Sequence, residues 1–210
     1  MIKKGIIFDL DGTLWDTTES TYKSVNEIAK KHNLPKVSRD TICKVFGCNV
    51  IEAASQYFPT IDTEDALPLI VEVSAIKNRD LEENGGIIYE GIEDTFIRLK
   101  DEYEFFIVSN IDNRGYIEAF LTTSKFEKYF TAYYAAGELG ITKAEAILKV
   151  IKDYSLDKYV YVGDTIKDFE ATKIAKVPFI QARYGFGKDL KTEYYINSFT
   201  EIPELVKDIL

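Results

Sequence analysis

Four short apolar runs, three of which end abruptly in polar residues, constrain this chain more than any other feature. They are Gly5-Ile6-Ile7-Phe8, Phe105-Phe106-Ile107-Val108, Tyr159-Val160-Tyr161-Val162 and Val177-Pro178-Phe179-Ile180. Three lead straight into Asp9, Ser109-Asn110 and Gly163-Asp164. A short run without polar interruption suits a strand buried on both faces, as in a parallel sheet. Ala132-Tyr133-Tyr134-Ala135, before Gly137, reads as a weaker fifth strand. Helical spacing lies between the runs, with Ile92, Phe96 and Leu99 on one face and Ala146, Ile147, Val150 and Ile151 on another. Strands alternating with helices predict an α/β fold with a doubly wound parallel sheet.

The alternation is interrupted once. From about Asp16 to Gly85 the pattern is helical, with stripes at Val25, Ile28 and Ala29, at Ile42, Val45 and Phe46, and at Leu69, Ile70, Val73 and Ile76. Gly85-Gly86 ends it, and Gly91 opens the next unit. Residues 1–15 and 86–210 are therefore expected to form the core, and 16–85 an inserted all-helical cap, with hinges at Asp16–Thr18 and Asn84–Gly86. Ile202-Pro203-Glu204-Leu205 suits the start of a last helix, with Pro in its first turn.

The chain has 210 residues, enough to bury a core without staples. Its net charge of −9 repels a nucleic-acid backbone, so no nucleic-acid partner is expected. A small phosphorylated ligand remains compatible, because a bound cation reverses the field locally. No apolar stretch is long enough to span a membrane, and the apolar run after Lys3-Lys4 is too short for a signal peptide. Cys43 and Cys48 lack metal or redox spacing and read as reduced thiols, so a cytoplasmic setting is expected.

Ligands of open α/β sheets bind at the carboxyl ends of the strands. Asp9-Leu10-Asp11-Gly12-Thr13, Ser109-Asn110 and Gly163 through Asp168 should therefore converge, with Lys143 within reach at the start of a helical pattern. Crowded carboxylates need a hard cation, and oxygen ligands without nearby His or Cys point to Mg²⁺ rather than zinc. In that setting Asp9 can attack phosphorus, and Asp11 can exchange a proton with the leaving oxygen and then with water. Lys143, the Ser109 hydroxyl and the metal would offset charge on the phosphoryl oxygens. Taken singly, each piece has a plainer reading. Asp11-Gly12 is also a turn, Ser109-Asn110 a helix N-cap, and Asp164 through Asp168 a capped first turn.

Asp9-Leu10-Asp11-Gly12-Thr13-Leu14 with Asp16 resembles the first motif of the haloacid dehalogenase-like hydrolase superfamily. Ser109-Asn110, Lys143 and Gly163-Asp164-Thr165-Ile166-Lys167-Asp168 are similar to its second, third and fourth motifs, in the same order. The resemblance spans nearly the whole chain, and its layout is that of the phosphoglycolate phosphatase-like branch. It implies a Rossmann-like core, a helical cap inserted after the first motif, and phosphatase chemistry on a small phosphorylated metabolite through an aspartyl-phosphate. Asp9 would be the nucleophile and Asp11 the general acid/base. Magnesium would be held by the Asp9 carboxylate, the Asp11 backbone carbonyl and Asp164. Asp168 would act through water or by orienting Lys143, and Thr13, Ser109 and Asn110 would contact the phosphoryl group.

The sequence departs from the family pattern at one motif. The third is commonly Lys-Pro and here reads Lys143-Ala144, which leaves Lys125 and Lys128 as competing lysines. Superfamily dehalogenases lack the second aspartate, so Asp11 favours phosphoryl chemistry. Similar phosphomutases carry a histidine where Thr21 stands, and phosphonate hydrolases need a cap lysine, for which Lys44 is nearest. A phosphomutase and a catalytically silent phosphate-binding protein are the alternatives. Trp15 should lie near the seam of core and cap. Lys36, Arg39 and Lys44 face either the site or solvent, and His32 reads as a helix-end surface residue.

Overall fold

Along the first strand, Ile6 and Phe8 belong to one buried cluster and Ile7 to another. Successive side chains of a strand face opposite ways, so this strand is covered on both faces. The structure is a computed structural model describing residues 2–187 and 190–210; Met1, Lys188 and Asp189, all within the expected core ranges, lie outside the described residues. Its elements are β1 (Lys4–Phe8), β2 (Trp15–Asp16), α1 (Thr18–Lys31), α2 (Arg39–Val45), α3 (Val50–Tyr57), α4 (Thr63–Asn84), β3 (Ile87–Ile88), α5 (Ile92–Leu99), β4 (Glu104–Ser109) and α6 (Gly115–Ser124). They continue with β5 (Phe130–Ala135), α7 (Lys143–Tyr154), β6 (Lys158–Gly163), α8 (Ile166–Ala175), β7 (Phe179–Ala182), β8 (Tyr194–Ile196) and α9 (Ile202–Ile209).

Six strands pair in parallel in the order β5-β4-β1-β6-β7-β8. The chain builds outward from β1 through β4 to β5, then returns to β1's other side with β6. The carboxyl end of β1 is thus the switch point, where open α/β sheets form their crevice. Helices α5, α6 and α9 cover one face through Phe96, Phe120 and Val206, and α7 and α8 cover the other through Ile147 and Ala171. This is the doubly wound α/β sheet that the apolar runs predict.

The last apolar run is displaced: β7 starts at Phe179 rather than Val177. Pro178 has no N–H to give to the ladder, and only its carbonyl takes part, accepting from the Tyr161 N–H at 2.9 Å. Two features escape the sequence pattern altogether, the edge strand β8 and the antiparallel pair β2–β3, which joins Trp15 to Ile88 and Asp16 to Ile87. Between β2 and β3 lie α1 to α4. They bury a cluster of their own around Val25, Ile42, Phe58 and Val73. Phe46, expected on a helical stripe, is the residue after α2. Gly85, at φ +70°, closes α4.

Candidate active site

Three adjacent strands, β4, β1 and β6, bring the polar ends of three apolar runs to one sheet edge. Asp9 directly follows β1, and its N–H still donates to Val162 O at 2.8 Å, so the ladder with β6 fixes its backbone. Ser109 is the last residue of β4, and Asp164 follows β6. All three are buried.

Two capping boxes aim the other charged groups. At α7 the Thr142 hydroxyl accepts from the Glu145 N–H while Glu145 accepts from the Thr142 N–H. This fixes the helix start, so that Lys143, its first residue, meets the site. At α8 Thr165 and Asp168 form the same reciprocal pair. Asp168 Oδ2 accepts from the Thr165 N–H at 2.9 Å and from its hydroxyl at 2.6 Å. Asp168 Oδ1 is left to face Lys143 Nζ at 2.5 Å, and the same ammonium donates to Asp9 Oδ1 at 2.9 Å. Asp168 thus caps α8 and meets Lys143 at the same time. Ser109-Asn110 is no N-cap, since α6 starts only at Gly115.

An unpaired buried ammonium costs several kcal/mol. Burial alone would lower the Lys143 pKa, yet Asp168 and Asp9 outweigh it and hold the group charged. Burial likewise opposes ionisation of Asp168, but Lys143 and Thr165 prevail and keep its carboxyl below the usual range. The balance reverses at Asp9, where burial and the Asp168 charge push the carboxyl up to about 7. Asp164 is raised well above the usual range by burial, Asp168 and Asp9. Its Oδ2 accepts from the Phe186 and Gly187 amides at 2.6 and 3.3 Å, while its Oδ1 is buried with no partner among the described residues.

Asp11 stands in the turn between β1 and β2. Gly12, at φ +77°, makes that turn, and a Cβ there would collide with the Asp164 carboxylate, so glycine is required twice over. Asp11 Oδ1 accepts from the Tyr116 hydroxyl at 2.6 Å and from the Thr17 hydroxyl at 2.8 Å. Thr17 is the N-cap of α1 but makes no cap bond with its side chain, which serves Asp11 instead. Burial raises the Asp11 carboxyl, with Lys77, Tyr116 and Thr17 pulling the other way. Thr13 Oγ1 is buried without a partner among the described residues.

Carboxylate oxygens of Asp9, Asp164 and Asp168 lie within 4.8 Å of one another. Three carboxylates beside one ammonium leave two negative charges, which a single divalent cation would cancel. The unsatisfied Asp164 Oδ1 and the all-oxygen donor set fit a hard cation such as Mg²⁺. Next to this cluster is a cavity of about 250 Å³, lined by Asp9, Asp11, Ser109 and Asn110 from the sheet edge and by Thr21, Val73 and Lys77 from α1 and α4.

Residues 6–182 match the model of one protein family, described as haloacid dehalogenase-like hydrolase. This chain belongs to the haloacid dehalogenase-like hydrolases. Among relatives of this hydrolase is a phosphoglycolate phosphatase of Caulobacter vibrioides, 24% identical over 95% of this chain and 89% of its own length. A plasmid-encoded phosphoglycolate phosphatase of Cupriavidus necator is 23% identical over 96% of this chain and 92% of its own length. A solved structure of a haloacid dehalogenase-like family protein from Streptococcus pneumoniae superposes with a TM-score of 0.86 at 18% identity, covering 98% of each chain.

Several residues of this hydrolase fall outside the cluster. Lys128 pairs with Glu93, and Lys125 caps the end of α6. Arg39 pairs with Glu19, an exposed residue in the first turn of α1, Lys36 lies over the Tyr22 ring, and His32 pairs with Glu72. Lys44 lines a separate shallow cavity beside Thr165. Trp15 is buried against Tyr116 and Phe120 rather than in the cavity wall. Sequence reasoning missed Tyr116, Thr17 and Lys77. For Lys77 a signal exists, because Ile70, Val73 and Lys77 follow helical spacing and a lysine on an apolar stripe is out of place.

Proposed function

We propose that this chain is a Mg²⁺-dependent phosphatase that hydrolyses a small phosphorylated metabolite through an aspartyl-phosphate on Asp9. Residues 16–85 act as the cap that shields the cavity from water. Asp9, the Asp11 backbone carbonyl and Asp164 would hold Mg²⁺, which when bound supplies positive charge to the phosphoryl oxygens. Asp168 has both oxygens engaged, by Lys143 and by Thr165, which supports its role as the residue that orients Lys143 rather than a ligand.

The carrying observation is the pairing of two aspartates with different tasks at one strand end. An Asp9 oxygen attacks phosphorus, the ester P–O bond breaks, and the leaving oxygen takes a proton from Asp11, whose raised carboxyl suits it as an acid. Water then attacks phosphorus, returns a proton to Asp11, and frees Asp9 and inorganic phosphate. Lys143, Ser109, Asn110 and Thr13 contact the phosphoryl oxygens, and the unpartnered Thr13 hydroxyl supports that role. Hydrolysis is favoured over phosphomutase action, because Thr21 in the cavity wall offers no imidazole. The phosphoglycolate phosphatases among the relatives support a small phosphorylated substrate.

The test is Asp9→Asn assayed with an aryl phosphate and Mg²⁺. Hydrolysis should disappear, whereas turnover at the unmodified rate would refute Asp9 as nucleophile, and no product from the unmodified chain would favour a silent phosphate binder.

A further inference from the structure

Lys77 presents a half-buried ammonium to the cavity from α4, opposite the sheet edge that carries Asp9. Among the described residues it makes no hydrogen bond and no ion pair. Its ammonium lies over the face of the Tyr116 ring, 4.2 Å from the centroid. That face holds the cation in place but accepts none of its three N–H donors. Burial lowers the Lys77 pKa while the charges of Asp11 and Asp112 raise it, so the group keeps a reason to be ionised but no direct partner. A cation kept partly from water without an acceptor is costly, and an anion arriving in the cavity would relieve that cost.

The phosphoryl group already has the Lys143 ammonium at the sheet edge, beside the carboxylates that would hold Mg²⁺. The cavity wall mixes apolar residues, Val45, Ile70 and Val73 among them, with Ser74 and Asp112, and Lys77 is the one cation among its described lining residues. A negative group on the far side of the substrate would therefore meet Lys77 and nothing else of its sign. We propose that Lys77 is a specificity-determining residue that binds a carboxylate on the leaving-alcohol part of the substrate, selecting phosphomonoesters of small hydroxy acids over those of neutral alcohols. This rests on the phosphatase reading given above.

The experiment compares kcat/KM for phosphoglycolate and for ethyl phosphate, in the unmodified chain, Lys77→Met and Lys77→Arg. Lys77 also biases Asp11, but that effect is common to both substrates and cancels in their ratio. The unmodified chain should favour the carboxylate-bearing ester by about tenfold or more, the scale of a hydrogen bond to a charged group. Lys77→Met should lose about tenfold of that preference, and Lys77→Arg should retain most of it. Calorimetric binding of 3-phosphonopropionate and of inorganic phosphate gives a readout without turnover: the diacid should bind tighter to the unmodified chain, and Lys77→Met should erase the difference. An unchanged substrate ratio together with an unchanged binding difference would overturn the role of Lys77 and leave the phosphatase reading intact. If the unmodified chain hydrolyses neither ester, the phosphatase reading fails, and the binding comparison still decides whether Lys77 holds the carboxylate.

Discussion

The Tyr116 hydroxyl donates to Asp11 Oδ1 at 2.6 Å, joining helix α6 to the turn after β1 across 105 positions of sequence. The same hydroxyl is 2.9 Å from Thr17 Oγ1, so Asp11 is fixed from two sides. An acid that must give a proton in one step and take one in the next needs both a set direction and a tuned pKa. Tyr116 supplies direction and lowers a carboxyl that burial raises. Tyr116→Phe keeps the ring under Lys77 and removes only the hydroxyl. It should reduce kcat about tenfold, less than the roughly 10²–10⁴-fold that general acid–base catalysis contributes, because Asp11 itself remains, and move the Asp11 limb of the pH–rate profile upward. Steady-state rates across pH measure both, and an unchanged kcat would show that Thr17 alone suffices to hold Asp11.

Metal binding should compete with a proton. Burial and the Asp168 charge raise the Asp9 carboxyl from its ordinary value to about 7 in the metal-free chain. A carboxyl raised in the folded state favours folding at low pH, and that contribution is lost as pH climbs from the unfolded value through about 7. Mg²⁺ needs the ionised form. Its affinity should therefore rise between about pH 6 and about pH 8, with about half a proton released per ion from Asp9 near pH 7 and more from Asp164, whose carboxyl is also raised, and its thermal stabilisation should grow in the same direction. Calorimetry in two buffers of different ionisation heat counts the proton. A pH-independent affinity would mean that Asp9 is already ionised without the metal.

Burial explains which parts of this chain could be read from its sequence. β1, β4 and β6 are covered on both faces, so their apolar runs are continuous and their polar ends mark the sheet edge. Asp9, Ser109 and Asp164 were legible for that reason. Lys143 and Asp168 were legible through the motif pattern, although what holds them is local: a capping box at each helix start, formed by Thr142 with Glu145 and by Thr165 with Asp168. β8 and the β2–β3 pair were not, because strands of two or three residues carry no usable period. Tyr116 and Lys77 escaped for another reason. Each sits on a helix that reads as ordinary; Tyr116 gains its role only where α6 meets the turn after β1, and Lys77 only where α4 packs against α6. Phe46 continues an apolar stripe by spacing, but α2 ends one residue earlier, and the ring, still packed against the helical cluster, also meets a partner that no local pattern announces.

That partner is Phe186. The rings of Phe46 and Phe186 stack at 4.2 Å between centroids and 13° between planes. Phe186 also gives its backbone N–H to Asp164 Oδ2, so the segment after α2 leans on the loop that positions this carboxylate. Gly47 adds a carbonyl that accepts from Asn110 Nδ2 at 3.1 Å. The remaining bridge between the helical segment and the sheet domain at this seam, Glu52 to Lys167 at 2.9 Å, is partly exposed, and surface pairs of this kind contribute little. At this end of the helical segment, away from the packing of α4 on α6, the hold on the site should thus depend more on the stacked rings than on the ion pair. Such a pair is worth about 0.5–1.5 kcal/mol beyond the area it buries. Phe46→Ala should lower kcat/KM about tenfold by favouring an open cavity, while Lys167→Ala should change it less than about twofold. Steady-state kinetics of the two variants side by side measure this, and a larger loss in Lys167→Ala than in Phe46→Ala would assign the hold to the ion pair instead.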